Sequence, residues 1–194
     1  AQGIHIIGWL ESGFRDTFSK DPIKSVDDFH GVKIRTMENK MQIAAFNAVG
    51  AIATPMPATE QYTALQQGTI DACENAVGNM LINRYYEVIK NVTNTKHQFT
   101  YILVGVSDRA WNKIPDELKP KVEEAMKIAV EWQRKNLQEI NDNAVAELKK
   151  LGVQFYDIDR EAMKAKVLPE VEKLRANVPQ EWIDAVAEAV ASAK

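Results

Sequence analysis

The chain has 194 residues and a formal net charge of −3, and its content of 45% hydrophobic and 26% charged residues is ordinary for a globular protein. Because this charge balance gives no strongly basic surface, we expect no nucleic-acid partner, and no apolar run approaches the roughly 18 residues that span a bilayer. The single cysteine, Cys73, excludes an internal disulfide and a multi-cysteine zinc site.

Short segments rich in β-branched residues predict six strands, bounded mostly by glycine, proline or polar residues. The predicted strands are residues 4–10, 32–36, 53–56, 69–73, 99–106 and 153–158. Apolar residues recur at helical spacing between them, and these predicted helices are residues 41–49, 62–66 and 80–88. Gly50 and Gly68 are expected to end the first two helices. Strands that alternate with helices predict an α/β fold with a mixed, largely parallel sheet flanked by helices.

An apolar stripe from about residue 116 to residue 150 predicts a long helix, which follows Pro115 and ends at Gly152. At about 1.5 Å per residue, this helix would be roughly 50 Å long. This length exceeds the diameter of a small domain, so we expect a bridging helix that joins two bodies or braces one of them. Asp159 is a candidate cap for the helix that follows.

Arg35 closes a predicted strand, and Asn75 follows another. In an open α/β sheet, side chains at the carboxyl ends of strands face the crevice where ligands bind. A guanidinium there can hold a carboxylate through two parallel hydrogen bonds, and an amide can donate to a ligand oxygen. The alternatives are a surface ion pair for Arg35 and a helix N-cap for Asn75.

Arg15 and Trp9 lie near the end of the first predicted strand. Arg15 is predicted to follow that strand in a loop and to approach the same crevice. Trp9 could stack on a ligand, although core packing is the alternative. The remaining tryptophans fall on predicted helices, where we expect them to pack in the core: Trp111, Trp132 and Trp182.

Residues typical of enzyme active sites form no convincing pattern. Asp71, Glu74 and His97 are a conceivable carboxylate–histidine group, but no metal-ligand spacing or nucleophile motif supports it. Neither a GxGxxG motif nor a P-loop is present, so we expect no nucleotide cofactor, and we expect no metal or other cofactor. Cys73 has no basic sequence neighbour that would activate it, and a small buried residue is the better interpretation.

A series of ordered motifs resembles one known family. The motifs are G-V-K-I-R-T-M-E-N, A-T-P-M-P-A-T-E-Q-Y-T-A-L-Q-Q-G-T-I-D-A-C-E-N and Y-Y-E-V-I-K-N-V-T-N-T-K-H, preceded by G-W-L-E-S-G-F-R-D-T-F. They are similar to the periplasmic solute-binding proteins of tripartite ATP-independent periplasmic (TRAP) transporters, the DctP-like family. The resemblance runs over nearly the whole chain and is densest between Phe14 and His97.

This resemblance implies a periplasmic protein of two hinged lobes that closes on a small organic acid and delivers it to a membrane permease. It implies that Arg35 grips the ligand carboxylate and that Asn75 and Arg15 assist. Glu38 could accept hydrogen bonds from ligand hydroxyls, or could equally be a solvated acid in the first turn of a helix. The chain departs from the family in D-A-C-E-N, where D-G-Q-E-N is usual, and at Ala58, where many relatives carry an aromatic residue.

The resemblance also implies a division of the chain. Residues 1–12 would be a hinge or first-lobe strand, 13–98 the second ligand-binding lobe, 99–150 a crossing strand and bridging helix, and 151–194 the elements that complete the second lobe. Measured against the family, most of the first lobe is absent. We therefore expect exposed apolar faces that favour a dimer or the exchange of elements between copies.

Two rival functions remain at the level of sequence. The first is an effector-sensing α/β domain of a regulator, which would share the cleft. The second is an enzyme that uses Asp71, Glu74 or His97 on a small acid. A binding protein for a small organic acid is the function that the sequence favours.

Overall fold

The structure is a computed structural model that describes residues 3–176 and 178–192. Its strands are β1 (Ile4–Ser19), β2 (Lys33–Thr36), β3 (Ile52–Pro55), β4 (Ala72–Ala76), β5 (Asn91–Ser107) and β6 (Gln154–Tyr156). Its helices are α1 (Lys40–Ala48), α2 (Gln61–Gln67), α3 (Val77–Ile82), α4 (Asp108–Trp111), α5 (Lys119–Lys150), α6 (Arg160–Arg175) and α7 (Gln180–Ser192). Single turns of 3₁₀ helix lie at Asp27–Phe29, Ala58–Glu60 and Tyr85–Glu87.

The first of two compact units comprises Ala1–Pro22 and Glu74–Asp157. Its strands follow the order β4-β1-β5-β6, in which β1 and β5 pair antiparallel along their length and β6 runs parallel to β5. Helix α5 packs against β1 and α3. Leu148 of α5 is fully buried, as are Phe18 and Val92 of the two long strands.

The second unit comprises Ile23–Cys73 and the chain from Ile158 onward. Its strands follow the order β3-β2-β4, and both pairings are parallel. Helices α1 and α6 pack against each other. The core is built mainly from Phe29, Ile34 and Phe46, which are fully buried. The described pairings are parallel for β2–β3, β2–β4 and β5–β6 and antiparallel for β1–β5, which confirms the predicted α/β class with a mixed, largely parallel sheet.

The first and fifth strands are much longer than predicted. The sequence indicated residues 4–10 and 99–106, whereas β1 continues to Ser19 and β5 begins at Asn91. Their backbones pair across three register irregularities, and the polar residues in these extensions are held by cross-strand pairing rather than by their own strand propensity.

The fourth strand lies further along the chain than the predicted 69–73. Gly68 adopts a left-handed conformation, and the N–H groups of Thr69 and Ile70 donate to the Ala64 carbonyl oxygen at the end of α2. Because these residues complete the helix terminus, β4 begins only at Ala72.

The predicted helix 80–88 is also shorter, because α3 ends at Ile82 and Arg84 has a positive φ of 58°. The long helix begins at Lys119 rather than near residue 116 and extends over 32 residues to Lys150. It braces the first unit. Its bridging role stays a prediction. The division of the chain into segments also stays a prediction, with the segments 1–12, 13–98, 99–150 and 151–194.

Two of the three helical tryptophans are not in a core. Trp111 is buried, as predicted, but Trp132 and Trp182 are 62% and 63% exposed. Helical spacing places a residue on a face without deciding whether that face is covered. Among the described residues, no helix combines the length and apolar character needed to cross a membrane.

Candidate functional site

Arg35 lies in β2 with its side chain buried. It is the third residue of the strand, and its register partners are Thr54 of β3 and Cys73 of β4. Only 5% of Arg35 is exposed, and its Nε and Nη2 donate to the Met56 carbonyl oxygen at 3.0 and 2.7 Å. The carbonyl therefore fixes the plane of the guanidinium without supplying a negative charge.

No acid neutralises Arg35 within residues 3–176 and 178–192. Its remaining N–H groups make no hydrogen bond to the described chain. A buried cation without a counter-ion is costly, because the charge has lost much of its hydration. The surface ion pair that we considered for Arg35 is therefore not formed, and an incoming anion would gain a desolvated partner.

The N-terminus of α1 follows β2 closely. Asn39 caps this helix, and its Oδ1 accepts from the N–H groups of Met41 and Gln42 at 2.9 and 3.2 Å. These two donors are therefore already satisfied within the chain. They are not available to donate to a ligand.

Arg15 differs from Arg35 because it is bound by a carboxylate. It lies inside β1, not in a loop after it, and its Nε and Nη2 donate to the two carboxylate oxygens of Glu74, the latter at 2.7 Å. Nη2 also donates to the Glu74 carbonyl oxygen at 2.9 Å, while Nη1 makes no hydrogen bond to the described chain. This bidentate pair neutralises Arg15 and leaves one nitrogen with free donors.

Glu74 is fully buried and is contacted from a second side by His97, whose Nε2 lies 3.2 Å from Oε2. Burial disfavours the charged form of Glu74, but hydrogen bonds from His97 and Arg15 and their charges outweigh it and hold its pKa below the ordinary value. The hydroxyl of Thr95 lies 2.9 Å from Nδ1 of His97 and completes the network. Both oxygens of Glu74 are therefore occupied within the chain.

Asn75 lies within β4 rather than past its end, and it does not cap α3, whose N-cap residue is Ala76. Its Oδ1 accepts from the Ala76 N–H at 2.9 Å and from Nδ2 of Asn79 at 3.0 Å. Its own Nδ2 makes no hydrogen bond to the described residues. Asn75 is half-buried and follows Cys73, the register partner of Arg35, by two residues.

Glu38 and Trp9 are the most exposed of the predicted site residues. Glu38 lies two residues before α1 begins and forms no ion pair with any described residue. Trp9 is 46% exposed and lies within β1, opposite Leu103 of β5. Neither residue is buried in a core, so both remain accessible to a ligand.

Asp71 and Cys73 have structural surroundings. Oδ2 of Asp71 accepts from the Lys33 N–H at 3.0 Å, which ties β2 to the turn before β4. Cys73 is fully buried, as predicted for a small core residue. Within the described part of the chain, no three side chains of the metal-ligating types come together.

Several contacts were not predicted from the sequence. The contact of Arg35 with the Met56 carbonyl oxygen had no indication in the sequence. For the contact of Arg15 with Glu74, the only indication was that Glu74 precedes Asn75 in the E-N motif. Asn79 is four residues after Asn75, but Asn75 lies in β4 and precedes α3, so helical spacing does not predict their contact.

The family can be named from the sequence profile that the chain matches. Residues 1–177 match the profile of the bacterial extracellular solute-binding proteins, family 7 (DctP). The chain belongs to this family. The resemblance to TRAP solute-binding proteins predicted from the motifs is thereby confirmed.

Other members of the family are similar over most of this chain. The 2,3-diketo-L-gulonate-binding periplasmic protein YiaO of Escherichia coli is 33% identical over 83% of the chain, and the match covers 50% of that protein. The sugar acid binding protein DctPAm of Advenella mimigardefordensis, solved with galactonate, superimposes with a TM-score of 0.94 at 30% identity, covering 99% of this chain and 63% of that one.

A TRAP periplasmic solute-binding protein of Shewanella oneidensis with bound succinate gives a TM-score of 0.89 at 27% identity and covers 97% of this chain and 63% of that one. This chain thus spans 50% to 63% of the length of the three family members named here. The members named here are binding proteins rather than enzymes.

Proposed function

We propose that this chain is the ligand-binding part of a TRAP solute-binding protein and that it captures a small organic acid through the guanidinium of Arg35. One observation carries the proposal: Arg35 is buried, oriented by the Met56 carbonyl oxygen and unmatched by any acid of the described chain. A carboxylate that reaches it forms charge-assisted hydrogen bonds in which the guanidinium plane sets direction.

The ligand also supplies the driving force for closure in this proposal. A guanidinium without a counter-ion disfavours the dry, closed state, whereas the same group paired with a carboxylate stabilises it. Ligand binding therefore shifts a hinged protein toward the closed conformation by the difference in its affinity for the two states.

The other site residues orient the acid in this proposal. Asn75 donates through its free Nδ2, and Arg15 donates through Nη1 while Glu74 holds its other side. Glu38 accepts from ligand hydroxyls, and Trp9 covers an apolar part of the ligand. Because Arg15 is already neutralised, Arg35 supplies most of the electrostatic attraction.

The class of ligand is inferred from family members together with this electrostatic arrangement. Similar proteins are described with galactonate, with succinate and with 2,3-diketo-L-gulonate, all of which carry a carboxylate at neutral pH. We extend that class, a small organic acid, to this chain.

The remaining parts of the proposal concern location and partners. The protein acts in the periplasm, delivers its ligand to TRAP membrane permease subunits and catalyses no reaction. The burial of Glu74 and the occupation of both its oxygens disfavour it as a general base. Exposed apolar side chains on β1 and β5 favour a dimer or element exchange when this chain stands alone.

A thermal-shift screen of the full-length protein tests the function. Galactonate and galactitol share a six-carbon polyol skeleton but differ in whether one end carries a carboxylate. We expect galactonate, or another acid such as succinate, to raise the unfolding temperature, because a ligand at about 100 times its Kd stabilises by roughly 2.7 kcal/mol. Equal stabilisation by galactitol, or no response to any acid in a broad panel, would contradict the proposal.

A further inference from the structure

The amide orientation of Asn75 is fixed by its surroundings. A backbone N–H can only donate, so the atom of Asn75 that lies 2.9 Å from the Ala76 nitrogen must be the oxygen. The same oxygen lies 3.0 Å from the side-chain amide of Asn79, which must therefore present its nitrogen. Each assignment follows from the one before it.

We propose that Asn79 is a positioning residue that holds Asn75 as a pure hydrogen-bond donor and so makes this position select a ligand oxygen that only accepts. The inference rests on the proposed function, in which Asn75 contacts the ligand. Both lone-pair directions of Oδ1 are engaged by Ala76 and Asn79, so Oδ1 has no capacity left for a ligand. The two N–H bonds of Nδ2 remain.

Asn79 is itself held on a helix. It lies within α3, and its carbonyl oxygen accepts from Nδ2 of Asn83 at 2.9 Å. Helix α3 packs against α5 within the first unit. The donor that restrains Asn75 therefore comes from a packed helix, and the restraint exists before a ligand arrives.

This arrangement has a consequence for specificity. Either oxygen of a carboxylate can accept from Nδ2 of Asn75. A carboxamide can accept there only through its single oxygen, and an N–H or O–H group of the ligand finds no acceptor at this position because Oδ1 of Asn75 is already engaged. A site built to pair one kind of group discriminates against a ligand that leaves the pairing unmade. The position therefore adds to the carboxylate preference that the charge of Arg35 produces.

Isothermal titration calorimetry on the full-length protein tests the inference, with galactonate and its neutral carboxamide, galactonamide, as probes. We expect Asn79→Ala to weaken galactonate binding about fivefold to tenfold, the scale of one hydrogen bond. It should also narrow the preference for galactonate over galactonamide, because Oδ1 of Asn75 then has one free lone pair that can accept from the ligand amide. Ile82→Ala, which removes an exposed side chain from the same helix without touching Asn75 or Asn79, should bind both probes like the parent protein.

A double-mutant cycle separates positioning from a general structural effect. If Asn79 acts through Asn75, adding Asn79→Ala to Asn75→Ala should cause no further loss of galactonate affinity. Independent losses in the double variant, or a parent-like preference in Asn79→Ala, would overturn the inference while leaving the contact of Asn75 intact. If Asn75→Ala alone binds galactonate with the affinity of the parent, Asn75 does not contact the ligand. Both the proposed contact and the positioning role of Asn79 would then be wrong.

Discussion

Arg15 and Arg35 are both buried, but their charges are balanced in different ways. Arg15 is matched by Glu74 within the same unit, so its charge contributes to stability whether or not a ligand is present. Among the residues that the structure describes, Arg35 is bound only by the Met56 carbonyl oxygen, which supplies a dipole and no negative charge. The first arginine is thus part of the framework, and we propose that the second is neutralised by the bound ligand.

The buried network around Glu74 predicts a pH dependence of stability. Because its pKa is lowered in the folded state, the folded protein binds fewer protons than the unfolded chain near that pKa. The stabilisation is therefore present above the ordinary glutamate value of about 4.3 and is lost as the pH falls through the folded value. Glu74→Gln should remove this acid-dependent part and destabilise by about 3 kcal/mol at pH 7, since it leaves Arg15 without its acid.

Urea unfolding of both proteins between pH 7 and pH 3 measures this effect. Glu147→Gln is the control, because it removes an exposed carboxylate that pairs with Lys150 and should leave the pH profile unchanged. If the Glu74→Gln variant has the same free energy of unfolding as the parent at pH 7 and the same dependence on pH, the Arg15–Glu74 pair does not contribute to stability.

Single residues could be predicted only where the sequence pattern sets their position. Arg35 was placed at a strand end by a short apolar run followed by polar residues, and β2 includes it. The hydrogen bonds from Arg35 to the Met56 carbonyl oxygen could not be predicted, because every residue has a backbone carbonyl and the sequence does not show which one lies nearby. The carboxylate of Glu74 was seen in the sequence, but its pairing with Arg15 depends on strands that are distant in the chain.

Among the elements, helix ends were predicted better than strand lengths. Gly68 ends α2 in a left-handed conformation, and Oδ1 of Asp159 accepts from the Ala162 N–H at 2.9 Å, as its predicted cap role requires. The residues that cap or end a helix act on backbone groups only a few residues away, so a short stretch of sequence is enough to predict them. The extent of β1 and β5 is set by pairing between segments about 80 residues apart, which a local pattern does not report.

The packing of α5 on β1 depends on the absence of a side chain at Gly8. A Cβ at this position would lie 2.8 Å from Cγ of Met126 and 3.2 Å from Cγ2 of Val130. We therefore expect Gly8→Ala to lower the free energy of unfolding by about 1 to 2 kcal/mol, since the helix side chains must shift or leave their preferred rotamers.

Chemical denaturation of Gly8→Ala, Met126→Ala and the double variant measures this contact. Because Met126→Ala removes the clashing atom, the added cost of Gly8→Ala should be smaller in that background than in the parent. If Gly8→Ala lowers the free energy of unfolding equally in the parent and in Met126→Ala, the contact with Met126 is not the source of the strain. Gly31→Ala is unsuitable as a control, because Gly31 has a positive φ of 78° and would be strained for another reason.

At the scale of the whole molecule, apolar side chains are exposed on the two long strands. Those on β1 and β5 are Ile4, Ile6, Trp9, Phe14, Tyr101, Ile102 and Leu103. Apolar side chains exposed in this number on one pair of strands are expected to be covered, at least in part, by another surface. The exposure that we predicted for the crossing strand is thus present in the structure.

The 194-residue chain on its own should therefore associate. We expect analytical ultracentrifugation to give a mass above the 21.8 kDa of one chain, and the association to weaken when Ile6→Lys and Tyr101→Lys place charges on the strands. Val186→Lys, on an exposed position of α7 in the second unit, should leave it unchanged. A stable monomer across the micromolar range would contradict the proposed dimer or exchange.

The central claim is that Arg35 is the buried cation that captures a carboxylate, and calorimetric titration of the full-length protein with galactonate tests it most directly. Arg35→Ala should weaken binding by roughly 2 to 5 kcal/mol, and Arg35→Lys should restore little of the loss, because an ammonium cannot form the planar pair of bonds. Arg109→Ala, which removes an exposed arginine, should bind like the parent. Parent-like affinity in both Arg35 variants would contradict the claim.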